Sequence, residues 1–287
     1  MHNDKIILGT VQFGLDYGIN NPAGKPAIEQ VFSMLELASE SGIETLDTAD
    51  AYGNASEILG EFNKTHPDVF KINTKFKAGS DPLAYQLERS LQVLCISSIN
   101  VYFFHTFNDF QQFPGLLSEL GPLKEKGLIK KAGVSVYGND EFEMAINTPE
   151  VDVIQFPFNL LDNRFQRGKL MTLAKEKGKE LQIRSVFLQG LFFMPDQEIP
   201  SKLVPIKPYL KNASEVAKAG DLSMETLALM YAFHQPEIDH IIIGVDNPEQ
   251  LNKNLNACQQ KISAEVADKI NQIAVQETNL LYPKNWN

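Results

Sequence analysis

Short runs of β-branched and aromatic residues recur along the chain, and each is followed by a segment with helical spacing. The runs cover residues 6–10, 44–49, 70–76, 100–105, 131–135, 153–156, 182–187 and 240–245. Their apolar character is continuous where a half-exposed strand would alternate, which predicts parallel strands covered on both faces. Helix signals lie between them. Asn54-Ala55-Ser56-Glu57 predicts a capping box, and Asp81-Pro82 predicts an N-cap with proline at the first helical position. Asn247-Pro248 repeats the second arrangement after the last run, and Gly127 and Gly178 read as helix stops. Residues 195–208 predict a surface loop before helices over 209–219 and 224–233.

Eight strand–helix pairs in 287 residues predict a (β/α)8 TIM barrel, one domain spanning residues 1–287. A doubly wound open sheet is the competing architecture. It would carry G-x-G-x-x-G after the first strand, and Leu8-Gly9-Thr10-Val11-Gln12-Phe13-Gly14 lacks that spacing.

Composition then narrows the partners. Lys and Arg number 26 against 36 Asp and Glu, a formal charge of −10. Phosphate backbones need a cationic surplus, so a nucleic-acid partner is not expected. No apolar run approaches the ~20 residues of a membrane helix, and the start, Met1-His2-Asn3-Asp4-Lys5, has no signal pattern. Two cysteines, Cys95 and Cys258, do not make a disulfide framework. Together these predict a cytoplasmic protein with no membrane partner. Cys95 reads as a small buried hydrophobe. No His or Cys pair has metal-ligand spacing, so no metal site is expected.

In such a barrel, chemistry gathers at the C-terminal ends of the strands. The second run carries Asp47, with Tyr52 in the loop beyond it. The third ends near Lys75 and the fourth in His105. Singly, each has a structural explanation: a hydrogen-bonded core histidine, an ion pair, a packed ring. Jointly they suit carbonyl reduction. A phenol can donate a proton to the oxygen, and an ammonium beside it stabilises the phenolate left behind. Asp47 would keep Lys75 charged, and His105 would orient the substrate oxygen. Hydride must come from a cofactor.

Those residues carry a resemblance to the aldo-keto reductase superfamily over nearly the whole chain. Asp47 and Tyr52 in LDTADAYG, Lys75 in INTKF and His105 in VYFFHTF are similar to that family's tetrad in order and spacing. The resemblance implies that Tyr52 is the general acid, Lys75 and Asp47 tune it, and His105 orients a small-molecule carbonyl substrate. It further implies a nicotinamide dinucleotide. Ser135 and Gln155 resemble the carboxamide ligands. Ser185, Phe187, Leu188, Gln189 and Gly190 resemble the pyrophosphate segment, and Gly244, Asp246, Gln250 and Asn254 the adenosine turn. Gly9, Thr10 and Asp47 complete the expected cofactor set, and Phe13, Tyr52, His105 and Trp286 the expected substrate set.

Three positions depart from the family's pattern. Ser135 is followed by Val136 where asparagine is common, so one carboxamide contact is missing. Arg184 stands where an aromatic residue stacks on the nicotinamide, so it joins the expected cofactor set with stacking either from its guanidinium face or absent. Asp246 stands where a basic residue meets the 2′-phosphate of NADP, with Lys253 the one close cation. NADP is therefore the expected cofactor, with NAD admitted by Asp246. The tail beyond the last strand is short, which suits an open mouth and a bulky substrate such as a sugar derivative. Two alternatives stand beside this reading: a cofactor-bound regulatory subunit with vestigial activity, and a non-redox barrel isomerase that needs no dinucleotide.

Overall fold

The eight runs form eight parallel strands that close on themselves. A computed structural model, which describes residues 3–79 and 81–286, places them at β1 (Ile6–Gly9), β2 (Thr45–Asp47), β3 (Lys71–Phe76), β4 (Ile99–Phe104), β5 (Ile129–Ser135), β6 (Val153–Pro157), β7 (Glu180–Arg184) and β8 (His240–Gly244). They pair in chain order, and β8 returns to β1 with Ile6 beside Ile241 and Gly9 beside Gly244. The helices outside are α1 (Val11–Gly14), α2 (Ile28–Glu40), α3 (Ala55–Thr65), α4 (Leu83–Leu94), α5 (Phe107–Gln112), α6 (Leu116–Glu125), α7 (Asn139–Ile146), α8 (Arg164–Glu176), α9 (Lys207–Ala219), α10 (Met224–Phe233), α11 (Pro248–Ala257) and α12 (Ala264–Asn271). The predicted barrel is the observed one. Among the described residues, no helix is long and apolar enough to cross a membrane.

Local chemistry explains most of the boundaries. In α2, Val31, Met34, Leu35 and Ala38 are buried. Their spacing of three and four residues lays one apolar stripe on the sheet. Gly127 and Gly178 follow α6 and α8 at φ of 71° and 72°. The next residues, Leu128 and Lys179, donate back to the Leu123 and Ala174 carbonyls, so both helices end in the predicted left-handed stop. Asn247 caps α11, its side-chain oxygen accepting from the Gln250 N–H at 2.8 Å.

Other local expectations need correction. Asn54 precedes α3 but makes no side-chain cap, because its oxygen accepts from Lys25 Nζ. The helix predicted to start at Pro82 starts at Leu83, with Pro82 as its cap. Cys95 is exposed where a buried thiol was expected. It ends α4 in the left-handed region, at φ 54°, and that conformation turns it away from the core. β7 ends at Arg184, three residues before the predicted boundary, because Ser185 adopts φ 61° and leaves the sheet. Residues 195–208 are not open loop throughout. Their short turns Asp196–Glu198 and Ser201–Ile206 bury Leu203 and Ile206.

One close approach fixes the crossing of α3 and α4. A Cβ on Gly60 would lie 2.0 Å from the Val93 carbonyl oxygen, and Asn63 donates to the Leu94 carbonyl at 2.8 Å across the same contact. Gly60→Ala must therefore force the helices apart. We expect it to destabilise the fold by about 3 kcal/mol, the upper part of the usual overpacking range. An unchanged urea-unfolding midpoint would refute that packing.

Candidate active site

Parallel strands present their C-terminal ends to one rim, and there the polar residues meet. Asp47 is the last residue of β2, Lys75 the last but one of β3, and His105 follows β4 directly. Lys75 is 2% exposed and Asp47 is 3% exposed. Lys75 Nζ pairs with Asp47 Oδ1 and donates to the Thr48 carbonyl at 3.0 Å. The second oxygen, Asp47 Oδ2, accepts from Gln155 Nε2 at 2.9 Å. Both carboxylate oxygens are thus engaged, by two different strands across the barrel.

Tyr52 reaches the same point from the loop after β2. Lys75 Nζ lies 5.1 Å from the centre of its ring. The His105 ring stands edge-on to it, with centroids 6.1 Å apart. Two glycines hold this loop. A Cβ on Gly14 would fall 1.8 Å from the Tyr52 carbonyl oxygen, and Gly53, at φ 58°, would place one 2.3 Å from the Gly14 oxygen. Only bare backbone lets α1 and the Tyr52 loop come this close.

The charges follow from burial. Desolvation would lower the Lys75 pKa, but the Asp47 carboxylate and the Tyr52 oxygen outweigh it and hold the ammonium above the ordinary lysine value. Burial, with Lys75, Arg184 and Lys77 nearby, pushes His105 down to about 4. Its imidazole is therefore neutral at physiological pH.

These residues line one end of a cavity of about 630 Å³, within the usual range for ligand sites. The lining continues through Gly9, Thr10, Ser135, Gln155, Arg184, Ser185, Phe187, Gln189 and Gly190 to Gly244, Asp246, Gln250, Lys253 and Asn254. Three predicted residues do not line it. Phe13 is fully buried in the apolar core, and so is Leu188. Trp286 packs against the core, and its indole N–H donates to the Leu280 carbonyl at 2.9 Å. Conversely, Tyr17, Asn20, Asn21, Tyr137, Phe193, Glu225 and Lys284 line the cavity and were not singled out from the sequence. The Tyr17–Asn21 stretch folds over the groove: Gln189 Nε2 donates to the Tyr17 hydroxyl at 3.0 Å, and Asn21 Nδ2 to Asp246 Oδ1 at 3.2 Å. Its glycine and asparagine content marks a turn, but no strand or helix period connects it to the site.

A nicotinamide dinucleotide fits this groove. Ser135 Oγ makes no hydrogen bond among the described residues, and Gln155, with its nitrogen committed to Asp47, keeps Oε1 to accept from a carboxamide. At the far end Asp246 accepts from Asn21 and from Gln250 Nε2, the latter at 3.2 Å, beside the capped N-terminus of α11. Among the described residues no cluster of His, Cys, Asp and Glu could hold a metal.

Residues 5–275 match the model of the aldo/keto reductase family. The chain belongs to that family. Its members are NAD(P)H-dependent oxidoreductases, and this aldo-keto reductase is an enzyme that interconverts carbonyls and alcohols. The isomerase alternative is thereby set aside. Curated relatives include the uncharacterized oxidoreductase YqkF of Bacillus subtilis, 26% identical over 81% of this chain and 83% of that one. The NADH-specific methylglyoxal reductase of Escherichia coli is 24% identical, over 79% and 82%. Among solved structures, the holo form of aldo-keto reductase AKR11C1 from Bacillus halodurans superposes with a TM-score of 0.77. It is 20% identical, over 99% of this chain and 95% of that one.

The depressed His105 makes stability pH-dependent in a definite sense. The unfolded chain takes the proton first as pH falls below 6.5, so stability present above that value is lost on the way to about 4. Between pH 7 and pH 5 the loss from this group is on the order of 2 kcal/mol. Urea unfolding at both pH values should show a smaller drop for His105→Gln than for the wild type. Equal drops would refute the assignment.

Proposed function

We propose that Tyr52 donates the proton when this enzyme reduces an aldehyde or ketone. The observation that carries this reading is the buried Lys75 ammonium, held by Asp47 and set against the Tyr52 ring. Ser135, Gln155, the Ser185–Gly190 backbone, Gly244, Gln250 and Asn254 would hold the dinucleotide, which supplies hydride when bound. A neutral His105 donates an N–H to the carbonyl oxygen and fixes its direction. The Tyr52 hydroxyl passes its proton to the same oxygen as charge develops there. Lys75 stays cationic and stabilises the phenolate. Asp47 keeps Lys75 both charged and aimed.

The same proposal extends to the cofactor and the compartment. The Asp246 carboxylate, half-buried and bonded to Gln250, would repel a 2′-phosphate and can accept from a 2′-hydroxyl. The NADH specificity of the E. coli relative supports acceptance of NADH alongside NADPH. The substrate is a small molecule, with a sugar derivative among the carbonyls to be screened. Two free thiols, Cys95 and Cys258, suit the reducing cytoplasm.

Tyr52→Phe deletes one hydroxyl and almost no area. Turnover should fall by about 10²–10⁴-fold, while the dissociation constant for the dinucleotide changes by less than about threefold. Wild-type turnover in that variant would overturn the mechanism. Fluorescence titration should give dissociation constants for NADH and NADPH within about tenfold of each other, and a preference for NADPH of about a hundredfold would reject the role given to Asp246.

A further inference from the structure

Among the described residues, Arg184, Lys253 and Lys284 line the cavity with no ion-pair partner, and the first and last of them approach one aromatic ring. Arg184 ends β7, and Lys284 lies in the tail turn Pro283–Asn285; both line the cavity with Tyr52 and His105. Among the described residues neither has a carboxylate oxygen within ion-pair distance. At the same cavity Lys75 is paired, with Asp47. What sets Arg184 and Lys284 apart is the aromatic ring that both approach.

Both pack against one ring. Arg184 Cζ is 4.1 Å from the Tyr137 centroid and Lys284 Nζ is 4.2 Å from it. The ring favours each cation but supplies no counter-charge. An anion in the cavity, which both cations line, would supply it. Arg184 commits Nη2 to the Val136 carbonyl at 3.2 Å, and the rest of its planar fork remains to donate to a carboxylate or phosphate.

The support beneath this arrangement is buried. Arg167 forks onto both oxygens of Asp162 at 2.7 Å and donates to the Tyr137 carbonyl at 2.6 Å. The Tyr282 ring stands edge-on to Tyr137 at 5.5 Å, and the tail turn carrying Lys284 begins directly after it. The position also points to substrate. Arg184 acts electrostatically on His105 and on Tyr17, which places it at the reacting end of the groove. The adenosine end, with Asp246 and Lys253, is served by other elements.

We propose that Arg184 and Lys284, both packed against Tyr137, form an anion-binding subsite that selects carbonyl substrates bearing a carboxylate or phosphate group. This rests on the reading that the cavity reduces carbonyls at Tyr52.

The test compares matched pairs under saturating dinucleotide: succinic semialdehyde against butanal, and glycolaldehyde phosphate against glycolaldehyde. At least one anionic member should exceed its neutral partner about tenfold in kcat/KM. The pair that does so tells carboxylate from phosphate. Lys284→Met should cut that ratio about fivefold or more through KM, leaving the neutral aldehyde within about twofold, and Lys284→Arg should keep it. Raising ionic strength from about 0.05 to about 0.5 M should erode the ratio. Neutral aldehydes reduced as well as or better than both anions would overturn the subsite alone. So would a ratio unchanged by Lys284→Met, including the case where that variant weakens dinucleotide binding instead. Absence of turnover on every carbonyl would instead remove the reading beneath it, and the subsite with it.

Discussion

A primary ammonium taken out of water must find replacements for its hydration, and in this barrel Lys75 sets that requirement. The penalty for an unpaired buried charge is several kcal/mol. Asp47, the Thr48 carbonyl and the Tyr52 phenol surround Nζ and meet it. Each solution creates a further demand. Asp47, now also buried, has a second oxygen to satisfy, and Gln155 comes from the sixth strand to do so. The positive charge so secured helps keep the neighbouring imidazole neutral. A phenol, an ammonium and a neutral imidazole therefore share one pocket around one buried lysine, with residues in or just beyond β2, β3, β4 and β6 contributing to it.

The second buried ion pair is built differently and serves another purpose. Arg167 belongs to α8, outside the barrel, and its partner Asp162 is five residues earlier in the chain. Its remaining donors go to Asn139 and the Tyr137 carbonyl. No reacting group touches it. What it ties down is the surface on which Arg184 and Lys284 rest. The first pair fixes the chemistry, and the second fixes the rim that approaching molecules meet.

How much of this could be read from the residues depended on whether a local pattern carried it. Continuous apolar runs imposed the barrel, and the polar residue closing a run marked the rim, which is why Asp47, Lys75, His105 and Ser135 were visible. Gly127 and Gly178 were visible because only a positive φ explains them. Phe13 was misplaced because the residue type is the same in core and pocket, and only packing against α3 decides. Leu188 was misplaced because a left-handed backbone at φ 48° turns its side chain into the core while its neighbours line the groove. Asn54 lost its expected cap to a competing donor, Lys25, that lies 29 residues away in the sequence. Tyr17, Tyr137 and Lys284 stayed hidden because they meet the site through loops, where no periodicity operates.

Net charge was informative at one scale and silent at another. A charge of −10 argues against polyanionic partners, because a phosphate backbone integrates charge over a large surface. A small ligand samples a much shorter range. Fields decay over about 8 Å at physiological ionic strength, so the groups within a few ångströms of the cavity decide what enters. There Arg184 and Lys284 lie at one end without an ion-pair partner among the described residues, and Asp246 with Lys253 at the other. On the function proposed above, the same chain would disfavour nucleic acid, accept a dinucleotide whose ribose meets a carboxylate, and present cations where the carbonyl substrate docks. Composition averages these regions away, and only the closing of the barrel separates them.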